Sequence, residues 1–507
     1  MSYARVLCAG LDGVTGELVE VEAMLADGLP GVTVTGLPDS ALNEARERVR
    51  AAITNSGETW PMRRIIINLY PADLRKRGSG FDLSMALAVL GGTGTLPLAA
   101  LDGVLVLGEL GLDGEVRPVR GVLPMVAAAA RAGAVEAVVP TANAAEAALV
   151  PGVRVYAADS LAAVTAHIRG ITALPDPPPV AGPPAAAELD LADVAGQDMG
   201  RLAVEVAAAG GHHLALFGAP GAGKTMLAQR LPSLLPRLDD GAALEVTALH
   251  SIAGVLAPGA PLVRRPPYQA PHHTASVAAL VGGGSGVPRP GALSLAHRGV
   301  LFLDEAPEFT RHALDSLRQP LEDGIITLGR SRGVVAYPAR VQLVLAANPC
   351  PCARPAGDVA CGCTAHTKRR YRGRVSGPLL DRIDIQLELP PLKAAHLFTE
   401  SAPREPSRTV AARVADARAA AVARWAAELE VRTNAEVPGT VLRRRRWKLP
   451  EPVTWELRKR LDQGVLSARG FDRVLRVAWT LGDLAGLDRP GKEEINIALE
   501  LRRGSWQ

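Results

Sequence analysis

The chain has 507 residues, too many for one hydrophobic core, and this length points to roughly three domains of about 100–200 residues each. Hydrophobic residues make up 48% and charged residues 21%, a globular balance that excludes a disordered chain, and no uninterrupted apolar span reaches membrane length. Lys plus Arg exceed Asp plus Glu by 56 to 52, a net +4 too small to identify a nucleic-acid binder, and five cysteines are too few for a disulfide scaffold.

The start, MSYARVLCAGLDG, lacks the basic and apolar regions of a secretory signal, so a cytoplasmic location is expected. VTVTG and RRIIINL read as strands by their β-branched alternation. Between them Asp39 or Ser40 caps a helix that places Ala41, Leu42, Ala45, Val49 and Ala52 on one face. A hairpin through VLVLGELGLDGEVRPV, a helix from Met125 to Ala132, a strand EAVVP and a helix from Ser160 to Ile168 complete a mixed α and β domain over residues 1–170. The proline-rich run LPDPPPVAGPPAAA marks a linker over 171–188, because proline removes backbone donors and favours an extended spacer. Alternating strands and helices over 189–392 predict a parallel-sheet core, and an arginine-rich helical segment over 393–507 follows.

Gly218, Ala219, Pro220, Gly221, Ala222, Gly223, Lys224 and Thr225 match the phosphate-binding loop G-x-x-x-x-G-K-[ST] without departure. An apolar strand from His213 to Phe217 precedes it and a helix from Met226 to Leu231 follows, as amides wrapping phosphate at a helix N-terminus require. Lys224 is expected to contact the β- and γ-phosphates of ATP, and Thr225 to ligate Mg2+. Val300 to Leu303 then form an apolar strand ending in Asp304, expected to hold Mg2+, and Glu305, expected to polarise the attacking water. A third strand, Val341 to Ala346, leads to Asn348, an amide that can orient water or the γ-phosphate. Four of the five cysteines lie close together as Cys350-x-Cys352 and Cys361-x-Cys363, a soft donor set suited to a closed structural Zn2+ site, although C-x-C is tighter than the usual spacing. Lys368, Arg369 and Arg370 follow at once, either a strip held against a nucleic acid or a solvated charge run. Adjacent His272 and His273 would face opposite ways on a strand, so no chemistry is assigned to them.

Taken in order, Asp193-Val194-Ala195-Gly196-Gln197, the phosphate loop, Asp304-Glu305, Asn348 and Gly377-Pro378-Leu379-Leu380-Asp381-Arg382-Ile383-Asp384 resemble the magnesium-chelatase-like branch of AAA+ ATPases. APHHTASVAALVGGGS, LSLAHRGVLFLDE, ANPCPC and SGPLLDRIDI narrow the resemblance to the ComM/YifB family, over nearly the whole chain. The resemblance implies an AAA+ core with a C-terminal helical lid, Asn348 as its sensor 1 residue, Arg382 as an arginine finger acting in a neighbouring subunit, and Arg469 in the sensor 2 position, with Arg473 and Arg476 on the same helix face. The N-terminal domain resembles the Lon-protease fold, but the catalytic serine position falls near Gly80, next to Ser79, and the lysine position near Leu123 or Met125. No lysine stands there, which implies a non-proteolytic domain.

The resemblance further implies a homo-hexameric motor that translocates on branched or single-stranded DNA, with recombination proteins as further partners and no membrane. Ile325 to Tyr337 read as a β-hairpin with Arg330 and Arg332 near its tip, which relatives place in a central pore, where arginines grip phosphates without reading bases. An exposed hairpin kept soluble by its arginines is the alternative. A chelatase-type ATPase that remodels a protein partner is a second functional reading, and an ATP-dependent protease a third, discounted by the missing dyad.

Overall fold

The computed structural model describes residues 2–36, 40–72, 79–179, 189–257, 259–284, 288–330, 333–354, 361–392 and 404–502. Asp39, Arg332, the linker beyond residue 179 and Ala394 at the start of the C-terminal segment lie outside the described residues, as do the side chains of Ala41, Leu42 and Arg330. The chain divides into two compact units, the first within Met1–Pro184, Ala243–Val263 and Ser331–Ala336, the second within Ala185–Ala242, Arg264–Arg330 and Tyr337–Gln507.

The first unit is built on nine strands: β1 (Ser2–Asp12), β2 (Thr15–Ala26), β3 (Gly31–Thr35), β4 (Arg64–Tyr70), β5 (Val104–Val106), β6 (Glu109–Leu110), β7 (Val116–Arg117), β8 (Glu136–Pro140) and β9 (Arg154–Ala158). Seven of them form one sheet in the order β3-β4-β2-β1-β5-β8-β9, and β6 and β7 form a small ribbon. Strands β1 and β2 pair antiparallel from Ser2 opposite Leu25 to Asp12 opposite Thr15, turning the alternating Val6, Cys8, Val19, Val21 and Ala23 into one buried face. The helix Asp82–Thr93 is buried on nearly every residue, and its Ser84 Oγ donates to Val106 O at 2.7 Å. Its Asp82 pairs with Arg48 of the helix Ser40–Asn55 at 2.9 Å, while burial pushes the Asp82 carboxyl up to about 6. The helix Val122–Arg131 packs so close on β2 that a Cβ at Gly16 would lie 2.3 Å from Pro124 O.

Two later segments complete this unit. Leu244 and Ala248 of the helix Asp240–Ala253 pack on its apolar core, and Ser251 Oγ donates to the Glu146 carboxylate. Val335 and the Ala336 backbone close on the β1–β2 turn, where a Cβ at Gly13 would lie 3.2 Å from Val335 Cγ1.

The second unit holds β10 (Leu214–Gly218), β11 (Tyr268–Gln269), β12 (Val300–Leu303), β13 (Ile325–Arg330), β14 (Gly333–Pro338, shared with the first unit), β15 (Gln342–Ala347) and β16 (Ile385–Leu389). Five of these form an all-parallel sheet in the order β11-β12-β15-β10-β16, and β13 and β14 form a separate ribbon. A parallel sheet is covered on both faces, which is why β10, β12 and β15 are continuous apolar runs. Leu214, Leu216, Phe302, Val344 and Ala346 share one core with the helices Asp198–Gly210, Ser407–Trp425 and Ala468–Leu484. Ala215, Phe217, Leu301, Leu303, Leu343 and Leu345 face another core on the opposite side. Trp425, Trp447 and Trp479 form an aromatic knot among the C-terminal helices, with ring centroids 4.6–6.1 Å apart. The chain is thus mixed α/β with a parallel-sheet core, and no described helix is long and apolar enough to cross a membrane.

Candidate nucleotide site

In a parallel sheet the loops leaving the carboxyl ends of the strands share one edge, so β10, β15 and β12, side by side, deliver their terminal residues together. From β10 comes the loop Gly218–Thr225, running into the helix Lys224–Leu234. Gly221 and Gly223 adopt φ of 80° and 89°, left-handed values that favour glycine, and the space a Cβ would fill at each is open. Gly218 faces the opposite restriction, since a Cβ there would lie 2.8 Å from Leu389 O.

Lys224 Nζ donates to Gly218 O at 2.7 Å, Ala219 O at 3.0 Å and Asn348 Oδ1 at 3.0 Å. Burial lowers its pKa, with Asp304 and Glu305 opposing that shift. Thr225 Oγ1 donates to Asp304 Oδ2 at 2.8 Å. Glu305, at φ 51°, donates its backbone N–H to Asp304 Oδ1 at 2.9 Å, and its carboxylate meets His273 Nδ1 at 3.2 Å. The structure therefore brings together five residues singled out from sequence: Lys224, Thr225, Asp304, Glu305 and Asn348. Hydroxyl and carboxylate oxygens at Thr225 and Asp304 suit a hard cation such as Mg2+. A lysine at a helix N-terminus under open glycine backbone suits phosphate.

Two contributors lacked an assignment from sequence. Gln197, in the left-handed conformation at φ 64°, donates its amide to Ala222 O at 3.0 Å and Pro390 O at 2.7 Å, bracing the loop from beneath. The phrase Asp193-Val194-Ala195-Gly196-Gln197 carried that signal. His273 is the other.

Arg382 and Arg469 lie elsewhere in the unit, lining a crevice of about 1060 Å³ with Arg298, Arg340, Arg473 and Arg476; Lys224, Thr225, Asp304, Glu305 and Asn348 are not among its walls. Arg382 is largely buried, its guanidinium 2.6 Å from Glu322 Oε1 and 2.7 Å from Pro378 O. Arg469 is exposed at the start of the helix Ala468–Leu484. Arg473 is committed to Asp381 O and Asp384 Oδ1, both at 2.6 Å, and Arg476 to Val437 O at 2.7 Å. Burial pushes the Asp384 carboxyl up, but Arg473 and His212 outweigh it and hold the group well below the usual carboxylate range.

Beyond Asn348, the Sγ atoms of Cys350, Cys352, Cys361 and Cys363 all lie within 4.8 Å of one another. Cys350 is 3.1 Å from Cys352 and 3.4 Å from Cys361, and Cys352 is 3.6 Å from Cys361. Four thiolates around Zn2+ at 2.3 Å would sit about 3.8 Å apart, so the cluster fits such an ion after a slight expansion. Burial pushes the Cys350 thiol up to about 12, whereas a backbone hydrogen bond from Cys363 brings Cys361 down to about 7. The helix Ala365–Arg372 follows, with Arg369 and Arg370 exposed and Lys368 half-buried. Its last turn returns to the site, where Arg372 Nε donates to Pro349 O at 3.3 Å. Arg374 just beyond it reaches Pro307 O at 3.0 Å and Glu308 at 2.9 Å.

Comparison with known proteins supplies the family. Residues 190–397 match the profile described as magnesium chelatase, subunit ChlI, residues 21–143 that of subunit ChlI of Mg-chelatase, and residues 404–502 that of the ChlI C-terminal region. An uncharacterized protein of Mycobacterium tuberculosis is 54% identical over 503 residues, 99% of both chains. YifB of Escherichia coli is 41% identical over 502 residues, covering 99% of this chain and 97% of YifB. The competence protein ComM of Haemophilus influenzae is 39% identical over 497 residues, covering 96% and 94%. Matched end to end by such relatives, the chain belongs to the ComM/YifB family of magnesium-chelatase-like proteins.

Proposed function

We propose that this protein is an ATP-driven ring motor that moves along DNA, a homo-hexamer acting on branched or single-stranded substrates in recombination or transformation. The observation that carries the reading is the meeting of Lys224, Thr225, Asp304, Glu305 and Asn348 at adjacent strand ends, with the two candidate trans-acting arginines in a different crevice. Lys224 binds the β- and γ-phosphates, and its present bond to Asn348 links phosphate contact to the sensor side chain. Glu305 accepts a proton from the attacking water, and Asn348 orients that water. Bound Mg2+, held by Thr225 and Asp304, supplies charge neutralisation at the phosphates. Arg382 and Arg469 serve a neighbouring subunit's nucleotide, which makes hydrolysis depend on ring assembly.

The name of the competence protein ComM supports the transformation role. The first unit takes a Lon-protease-like fold without its chemistry: Ser79 Oγ donates to the Glu109 carboxylate, and Leu123 and Met125, where a lysine would be needed, are buried apolar residues. The helices from Ser407 onward act as the lid, and the four cysteines hold structural Zn2+. Arg330 and Arg332 grip DNA phosphates at the ribbon, assisted by Lys368, Arg369 and Arg370.

The test is a synthetic four-way junction incubated with ATP and either the unaltered protein or the Arg330→Ala, Arg332→Ala double variant. Expected are ATP-dependent migration by the first, and weaker, less salt-sensitive DNA binding with slower migration by the second, at unchanged basal ATPase. A protein that hydrolyses ATP but neither binds nor moves DNA would put the chelatase-type remodeller ahead.

A further inference from the structure

Glu305 is placed to activate water, yet its side chain is 51% exposed, so packing alone does not fix where its carboxylate points. Its carboxylate pairs with His273, Nδ1 lying 3.2 Å from Oε2. At that separation the imidazole stands beside one carboxylate oxygen, Oε2, and so bears on one oxygen of the pair rather than on both.

The ring is itself held. Strand β11 pairs parallel with β12, fixing the start of the loop beside the strand that carries Asp304 and Glu305. At the far end Ser276 Oγ accepts from Ala279 N at 3.2 Å and caps the helix Val277–Val281. Between them the His272 ring lies against the His273 ring at 4.1 Å, and His272 Nδ1 is 2.9 Å from Thr274 Oγ1. With the two side chains 32% and 51% exposed, the pair adds little to stability. Orientation is what remains for it to do.

We propose that His273 is a positioning residue for hydrolysis: it fixes the Glu305 carboxylate so that one oxygen faces the attacking water. The inference rests on the reading of Glu305 as the water-activating acid, and it deepens that reading by adding the residue that aims it.

The test uses the full chain with His273→Ala, His273→Asn and Glu305→Gln. ATP turnover and the binding of a fluorescent ATP analogue are measured for each, together with the melting temperature. Misaiming a reacting group by about 1 Å can cost about 100-fold, so His273→Ala is expected to lower kcat by about 10- to 100-fold. Analogue affinity and melting temperature should stay unchanged. His273→Asn, whose amide N–H stands near the place of Nδ1–H, should recover most of the loss. Wild-type turnover in His273→Ala, a loss traced to weaker nucleotide binding, or an Asn variant no better than Ala each overturns the proposal. If Glu305→Gln keeps its turnover, the reading of Glu305 falls and this proposal falls with it. If Glu305→Gln is inactive while His273→Ala is not, only the role of His273 is lost.

Discussion

At the phosphate loop the polar side chains answer one another: Lys224 binds Asn348, Thr225 binds Asp304, and Glu305 meets His273. The arginine crevice of the same unit brings Arg382 and Arg469 beside Arg298, Arg340, Arg473 and Arg476, with no phosphate loop. The first site brings together groups that suit the phosphates of a nucleotide and a hard cation. The crevice gathers guanidinium groups, the kind of cation that can meet the charge that develops in phosphoryl transfer. On the function proposed above, the two sites carry complementary halves of one reaction, united where two copies of the chain meet. Within the arginine crevice the arginines also divide, since Arg473 is locked to buried Asp384 whereas Arg382 faces an exchangeable acid, Glu322.

The sharpest way to break this comparison is at the phosphate loop. Lys224→Ala should abolish ATP binding and with it all turnover, while Glu305→Gln should bind ATP and fail to hydrolyse it. A fluorescent-nucleotide titration beside a phosphate-release assay separates the two, and equal loss of binding in both would refute the division of roles. Next comes the arginine crevice. Arg382→Ala should bind ATP yet lose about 1,000-fold in turnover. Mixed with Lys224→Ala, it should regain part of that activity through interfaces that pair an intact phosphate loop with an intact arginine. No recovery at any ratio, with subunit exchange verified, would confine each reaction to one chain. The smallest effect is expected at the cysteines. Elemental analysis should find about one zinc per chain. Cys352→Ser, by loosening the knuckle that begins two residues past Asn348, should reduce turnover by about tenfold and leave nucleotide affinity intact. A fully folded, metal-free protein of normal activity would remove zinc from the account.

The nucleotide side of this arrangement was legible because its residues are consecutive. A loop of fixed spacing and apolar strands ending in acids or an amide carry their geometry in the local sequence, and β10, β12 and β15 begin and end within a residue or two of expectation. The first unit was harder to read. Its longest strands, β1 and β2, are hard to read from sequence because Arg5, Glu20 and Glu22 on the outward face mask an alternation completed only by pairing. The run VLVLGELGLDGEVRPV was expected to be one hairpin, but only Glu109–Leu110 and Val116–Arg117 pair that way, while β5 leaves to lie parallel between β1 and β8. The contacts of Gln197 and His273 are not legible locally, because each reaches its partner across a gap in the chain, although the phrase ending in Gln197 marks that residue. Adjacent histidines on a strand face opposite ways, but His273 lies in the loop after β11, where the pair need not.

The discontinuity of the first unit has a consequence for the order in which the protein can be made. A ribosome that has delivered residues 1–184 has delivered every strand of the large sheet, but not Leu244 and Ala248, which cover part of its core, nor Ser251, which satisfies Glu146. Val335, which closes on the turn at Gly13, comes later still, after the phosphate loop and both acids of β12 have been synthesised. Vectorial synthesis therefore cannot finish the N-terminal unit first, as it does for domains strung end to end. Its last contacts wait for the chain to pass residue 336, by which point Lys224, Thr225, Asp304 and Glu305 have all been made.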